Sequence, residues 1–259
     1  MQYLHTVSIV GSSPTSTTKI SIVLYMHINN LMKTIQYNNF TFDIHDGNLC
    51  AFISGGADSA LMLYMLMSNI NQPLHIFSVA NGKSNYREPI NALKIINKVM
   101  DMTNFDCNNL RFHTHWTLHK TTNTTVLPEY MNNINVDVLY FGLTRPPPIG
   151  SIVGYDTENV AAIGGVDHEQ TLDTFINNTK VPPWYNFDDK LFPDPGYVKS
   201  FCTPFVNINK QQVAMLYREL GIEELYKMTR SCESTIINDR HCGSCWWCKE
   251  RIWGFGYLD

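Results

Sequence analysis

Residues 50–66 read CAFISGGADSALMLYML. The apolar run Cys50–Ile53 breaks into Ser54-Gly55-Gly56-Ala57-Asp58-Ser59, and apolar residues then resume at helical spacing. This order predicts a buried strand over 49–53, a tight loop, and a helix over Ala57–Asn69. A strand that opens through two glycines into a helix leaves unpaired N–H groups at the helix's positive end, which is a ready anion site. Glycine lets the backbone approach phosphate oxygens closely, and Ser54 and Ser59 supply hydroxyls. Asp58 would repel a phosphate unless a cation lay between them, so its expected role is to hold Mg²⁺. A turn that needs only glycine does not call for Ser, Asp and Ser around it. No Gly-Lys-Ser/Thr follows, and Gly-x-Gly-x-x-Gly is absent, so this is neither a Walker loop nor a dinucleotide loop.

On either side of this stretch the pattern is one of short strands alternating with helices. Leu74–Val79 reads as a second strand. Glu88–Met100 reads as a helix, with Ile90, Leu93, Ile96, Val99 and Met100 on its apolar face. Leu110–Thr117 and Val136–Leu143 read as two further strands. The expected class is α/β, a parallel sheet with helices on both faces. Residues 144–200 break the rhythm with Pro146-Pro147-Pro148, Gly164-Gly165, Pro182-Pro183 and Pro193-Asp194-Pro195; a long irregular segment in a compact protein is expected to be a binding loop or lid. Asn209–Leu220 is a helix stopped by Gly221. Three units follow: an extension of strands and turns over 1–45, an α/β core over 46–225, and a C-terminal metal-binding segment over 226–259.

The chain has 259 residues, 44% hydrophobic and 16% charged, with net charge −4. That balance gives no global basic field for nucleic acid. The apolar stretch Ile20–Ile28 is too short and too polar to cross a bilayer. No secretory leader is read over residues 1–15, so the Asn-x-Ser/Thr matches at Asn39, Asn123 and Asn177 are read as chance. The expected compartment is the cytoplasm.

Four of the seven cysteines lie within residues 232–248. Nine residues separate Cys232 from Cys242, and Cys242-Gly243-Ser244-Cys245-Trp246-Trp247-Cys248 forms two interlocked Cys-x-x-Cys steps. Clustering without a leader points to metal and a reducing compartment. Four thiolates at this spacing can close a tetrahedral Zn²⁺ site, with Gly243 making the turn; being full, such a site is structural. The same ligands also fit an iron–sulfur cluster.

Ser-Gly-Gly-x-Asp-Ser resembles the signature of the N-type ATP pyrophosphatases, in which this loop binds the pyrophosphate of ATP. The C-terminal pattern narrows the resemblance. Thr203-Pro204-Phe205, Lys210, the helix to Gly221, Leu225–Thr229, Ser231-Cys232, Cys-Gly-x-Cys-x-x-Cys and Arg251 together are similar to the 7-cyano-7-deazaguanine synthases over roughly residues 49–100 and 200–255. The resemblance implies an adenine nucleotide alpha hydrolase-like fold with a five-stranded parallel sheet and a C-terminal zinc knuckle. It implies ATP as co-substrate, bound by Ser54, Gly55, Gly56, Asp58 and Ser59. Asp58 and Lys210 would be catalytic, with Lys210 near the phosphates, and Cys232, Cys242, Cys245 and Cys248 would hold structural Zn²⁺. It further implies a carboxylated 7-deazapurine and ammonia as partners, no membrane, and a possible homodimer.

The middle of the chain departs from that family. Ser78–Lys83 keeps only the glycine of the family's Tyr-Gly-Gln segment. Of its Gly-Tyr-Pro-Asp-Cys-Arg segment, Asp167–Phe175 is the nearest counterpart. Two other readings therefore stand beside the first. One is the same adenylation on a protein or tRNA acceptor; the other is a nucleotide-binding subunit without turnover. His113, His115 and His119 lie close together on and after a strand, with His113 and His115 on one face as a possible metal pair, and Trp246 and Trp247 are read as packing around the knuckle.

Overall fold

The structure is a computed structural model, and it describes residues 5–9, 20–27, 30–37, 40–81, 87–117, 134–145, 147–148, 150–153, 184–185, 200–232 and 241–258. His119, Lys83, Asp167–Phe175 and most of the segment 144–200 lie outside the described residues.

Two sheets make the frame. The first is antiparallel, with β1 (His5–Ile9), β2 (Ile20–His27), β3 (Asn30–Tyr37) and β4 (Phe40–His45) in sequential order. The second contains β5 (Leu49–Phe52), β6 (Leu74–Asn81), β7 (Leu110–Thr117), β8 (Val138–Phe141), β9 (Trp184–Tyr185) and β10 (Ser200–Cys202). Its spatial order is β7-β6-β5-β8-β10-β9. The first five of these run parallel, and β9 is an antiparallel edge. The five-stranded parallel sheet expected from the sequence is therefore present. The order reverses between β5 and β8, and in open α/β sheets ligands bind in the crevice at such a switch point, beyond the carboxyl ends of the strands.

Among the described residues, five α-helices accompany the strands: α1 (Ala57–Met67), α2 (Glu88–Thr103), α3 (Lys210–Glu219), α4 (Glu223–Met228) and α5 (Trp246–Phe255). α1 is buried nearly all round, from Ala57 to Met67, which is how a helix lacking a polar face must sit. β5 is buried on both faces at Leu49, Cys50 and Ala51, as a central parallel strand should be. α2 buries Ala92, Ile95, Ile96 and Val99, while Ile90 and Leu93 are 50% and 45% exposed. The apolar stripe of α2 thus begins one residue further round the helix than the Ile90–Leu93 spacing predicts, because Ala92 and Ile95 face the sheet. α3 starts with a capping box between Asn209 and Gln212 and gives way to Gly221 at φ +67°.

The N-terminal strands do more than precede the core. Ile35, Phe42 and Ile44 belong to the same apolar cluster as β5 and α1. Phe42 stacks on Tyr140 of β8 at 6.5 Å, and Phe40 lies 5.5 Å from Phe205. The Tyr140 hydroxyl accepts from His45 N at 3.0 Å and donates to the Asp43 carbonyl at 3.3 Å. Lys33 Nζ donates to the Asn69 carbonyl just past the end of α1 at 2.9 Å. β3 and β4 thereby pack against Tyr140 of β8, Phe205 and the end of α1.

Candidate functional site

The loop after β5 is shaped by its two glycines. Gly55 has φ +83°, and a Cβ there would lie 2.6 Å from Asn91 Cβ at the start of α2. Both backbone conformation and space therefore demand glycine. Gly56 is the N-cap of α1. Ser54 Oγ accepts from Gly56 N at 3.3 Å and lies 3.3 Å from Ser59 Oγ, and Ser59 Oγ donates to the Gly56 carbonyl at 3.0 Å. The two serines that the sequence marks as hydroxyl donors are thus gathered at the first turn of α1, whose leading N–H groups have no intrahelical partner. From the far side, Arg230 N donates to the Gly55 carbonyl at 2.8 Å. Ser231 Oγ and Ser54 Oγ lie 3.6 and 3.4 Å from the point where a Gly56 Cβ would stand, so two hydroxyls converge on the open face of that glycine.

β8 reaches the same place. A Cβ on Gly142, just past its end, would lie 2.7 Å from Ser59 N and 2.8 Å from Asp58 C. The exit of β8 is in effect backbone-to-backbone with the first turn of α1. Nothing in the sequence marks Gly142, because the contact joins residues that only the switch point brings together.

Asp58 and Lys210, the two residues expected to be catalytic, meet. Lys210 Nζ donates to Asp58 Oδ2 and stands 3.5 Å from Glu250 Oε2. Lys210, at the first position of α3, is only 5% exposed, so it is not the solvated residue that a helix start usually carries. Burial alone would lower its pKa, but Asp58 and Glu250 together outweigh burial and hold it above the usual lysine value. Burial pushes Glu250 up; Lys210 opposes that and Asp58 adds to it. Asp58 keeps its second oxygen, Oδ1, buried without a hydrogen-bond partner among the described residues. An acceptor in that state suits a cation, so Asp58 fits the role of Mg²⁺ holder. Gly254, one turn beyond Glu250 on α5, lies so close to Lys210 that a Cβ there would sit 2.4 Å from Lys210 Cγ. Tyr217 OH donates to the Ala57 carbonyl at 2.8 Å and ties α3 to α1.

The four cysteines converge as their spacing predicts. Their sulfurs all lie within 4.8 Å of one another. Cys242 Sγ is 3.9 Å from Cys248 Sγ, and Cys245 Sγ is 4.0 Å from Cys232 Sγ. A tetrahedral Zn²⁺ with Zn–S near 2.3 Å sets its sulfurs about 3.8 Å apart, so one ion fits. An iron–sulfur cluster spreads its ligands over several irons and needs them wider than this. Backbone N–H groups of Cys242 and Cys245 point at sulfur, at 3.4 and 3.3 Å, and Gly243 turns at φ +74°. The cysteines could hold a metal ion such as zinc. Among the described residues they are the one group of three or more potential ligands.

Arg251 follows this cluster and is 1% exposed. It donates to Thr229 Oγ1 at 2.8 Å and to the Tyr226 carbonyl at 3.0 Å, with its guanidinium 3.8 Å over the Tyr226 ring. It clamps α5 to the end of α4. His113 pairs with His75 of the neighbouring strand, ring nitrogens 2.9 Å apart. Sequence reading also missed Glu250: it sits in Lys249-Glu250-Arg251, which reads as a solvated charge run.

The family model described as "Queuosine biosynthesis protein QueC" matches residues 197–258. That span carries Lys210, Glu250 and all four cysteines, and the glycine loop lies outside it. No curated protein matches the chain. Among the described residues, no helix is long and apolar enough to cross a membrane.

Proposed function

We propose that the chain is an ATP-dependent carbon–nitrogen ligase that adenylates a carboxylate and lets ammonia displace AMP. The substrate we assign is 7-carboxy-7-deazaguanine, in queuosine-type 7-deazapurine biosynthesis. The observation that carries the reading is the meeting of two segments: the Ser54–Ser59 loop at the switch point, and Lys210 from the stretch that the QueC family model matches. Each alone is weak support; their contact brings a lysine to the first turn of α1, beside the serine hydroxyls of the loop, which supports an anion-binding role.

In this reading the loop and the α1 N-terminus hold the pyrophosphate portion of ATP, with Ser54 and Ser59 hydroxyls donating. Asp58 would hold Mg²⁺, which when bound supplies positive charge against the phosphate oxygens. The substrate carboxylate oxygen bonds to the α-phosphorus, the bond from it to the bridging oxygen of the β-phosphate breaks, and the electron pair leaves on pyrophosphate. Lys210 offsets the charge that gathers there. The ammonia lone pair then forms the C–N bond, AMP leaves with the C–O pair, and nitrogen sheds a proton to give the amide. Going on to the nitrile requires the amide oxygen to be activated in turn by a second ATP. Binding orients both reactants, a large part of what such a site contributes. The four-cysteine site, being full, takes no part in these steps.

The test is incubation with 7-carboxy-7-deazaguanine, ATP, Mg²⁺ and ammonium, with mass spectrometry of the base and chromatography of the nucleotides. The expected products are AMP, pyrophosphate and the amide or nitrile, with AMP formed only when the carboxylate is present. ADP and orthophosphate would refute adenylation. AMP release with a carboxylated protein or tRNA, but not with the free base, would move the acceptor and leave the chemistry.

A further inference from the structure

Lys210 has two acidic partners, the partly exposed Asp58 and the buried Glu250, and the reaction above uses only the first. Glu250 is 5% exposed and its Oε2 lies 3.5 Å from Lys210 Nζ. It reaches Lys210 from α5, whose N-cap is Cys245 and whose first turn carries Cys248. Glu250 and Gly254 are four residues apart and share a helix face. The glycine leaves just enough room for the Lys210 stem while the glutamate meets its head. The neighbouring Arg251 donates to Thr229 and to the Tyr226 carbonyl.

We infer that Glu250 is a positioning residue for the adenylation step: it holds Lys210 at the mouth of α1, so that the lysine stays in place when Asp58 turns to a bound cation. This rests on the ligase reading above. A lysine held by Asp58 alone would have to choose between following that carboxylate and meeting the pyrophosphate. A second fixed carboxylate, on a helix anchored by the cysteine cluster, removes the choice. Glu250 acts through Lys210 and touches no reacting atom.

The experiment compares Glu250→Gln, Glu250→Asp, Lys210→Met and Lys210→Met/Glu250→Gln in full-length, metal-loaded protein. Steady-state pyrophosphate release is read with the carboxylate substrate, and melting temperature is read without nucleotide. Glu250→Gln should lower kcat about ten- to a hundredfold. The KM for ATP should not rise, because removing a negative charge does not weaken attraction for a polyanion. Glu250→Asp should lie between wild type and Glu250→Gln. On the Lys210→Met background Glu250→Gln should cost no further kcat, a non-additivity that a merely structural ion pair would not give. Wild-type kcat in folded Glu250→Gln, or a full second loss on the Lys210→Met background, overturns the inference. Should Glu250→Gln not fold, Glu250→Asp decides: wild-type kcat there overturns it. If wild-type protein releases no pyrophosphate with any carboxylate, the ligase reading fails by itself. The melting temperatures then still test the contact: additive effects of the Lys210 and Glu250 changes show that Glu250 does not hold Lys210 and overturn the inference.

Discussion

Gly142→Ala isolates the closest approach in the site. Gly142 has no φ in the left-handed region, so the added methyl acts by volume alone. It would meet Ser59 N at 2.7 Å, Asp58 C at 2.8 Å and Ser59 Cα at 2.9 Å. All three are backbone atoms, which no rotamer change can move aside. Ordinary contact begins near 3.4 Å, so the end of β8 and the first turn of α1 must part by about 0.7 Å. Overpacking of this kind costs about 1–3 kcal/mol, or about 2–12 °C in melting temperature for a chain of this size. The same displacement moves Asp58 and Ser59 relative to the loop. A shift approaching 1 Å at a positioned group costs up to about a hundredfold in rate, so kcat for pyrophosphate release should fall about ten- to a hundredfold. The control is Gly221→Ala, where no atom lies within 4 Å and only φ +67° opposes the side chain. It should cost about 1 kcal/mol and leave kcat unchanged. Melting followed by circular dichroism and a coupled pyrophosphate assay read both quantities. Gly142→Ala with wild-type melting and wild-type kcat would show that β8 does not press on α1 as described.

Asp58→Asn should abolish pyrophosphate release yet melt above Lys210→Met: after the first change Lys210 keeps Glu250, whereas the second strands the buried Glu250 carboxylate, and breaking a buried pair costs about 3–5 kcal/mol. Calorimetry of both variants checks the order. Cys245→Ser should drop bound metal well below one ion per chain and lower stability more than nucleotide affinity; iron with acid-labile sulfide in the wild-type protein would contradict a single-ion site. His75 and His113 are both held below the usual imidazole value, chiefly by burial. The unfolded chain therefore takes up protons that the folded pair refuses, and stability is lost as pH falls through about 6.5. The urea midpoint of wild type should drop between pH 7.5 and 5.5 more than that of His75→Phe/His113→Phe.

The sequence by itself determined the local features. Ser54–Ser59 is contiguous, and its glycines, hydroxyls and carboxylate are arranged by one turn of chain, so strand, loop and helix were legible in order. The cysteine cluster was legible for the same reason, three of its members lying within seven residues and the fourth ten residues before. β5 and β6 were legible because a strand buried on both faces is written as an apolar run, and β7 because its residues alternate in type. What only the tertiary structure decided are the pairings across distance. Asp58, Lys210 and Glu250 come from three helices and meet because α3 and α5 pack together beside the first turn of α1. Gly142 and Gly254 matter for what lies opposite them, which no neighbour in sequence reveals. Arg251 is written in a charged run, yet its burial follows from the Tyr226 ring that covers it. The N-terminal strands likewise give no sign in sequence that Phe40 and Phe42 will cover Tyr140 and Phe205. In each case the deciding quantity is the free energy of bringing remote groups out of water together, which a local pattern cannot carry.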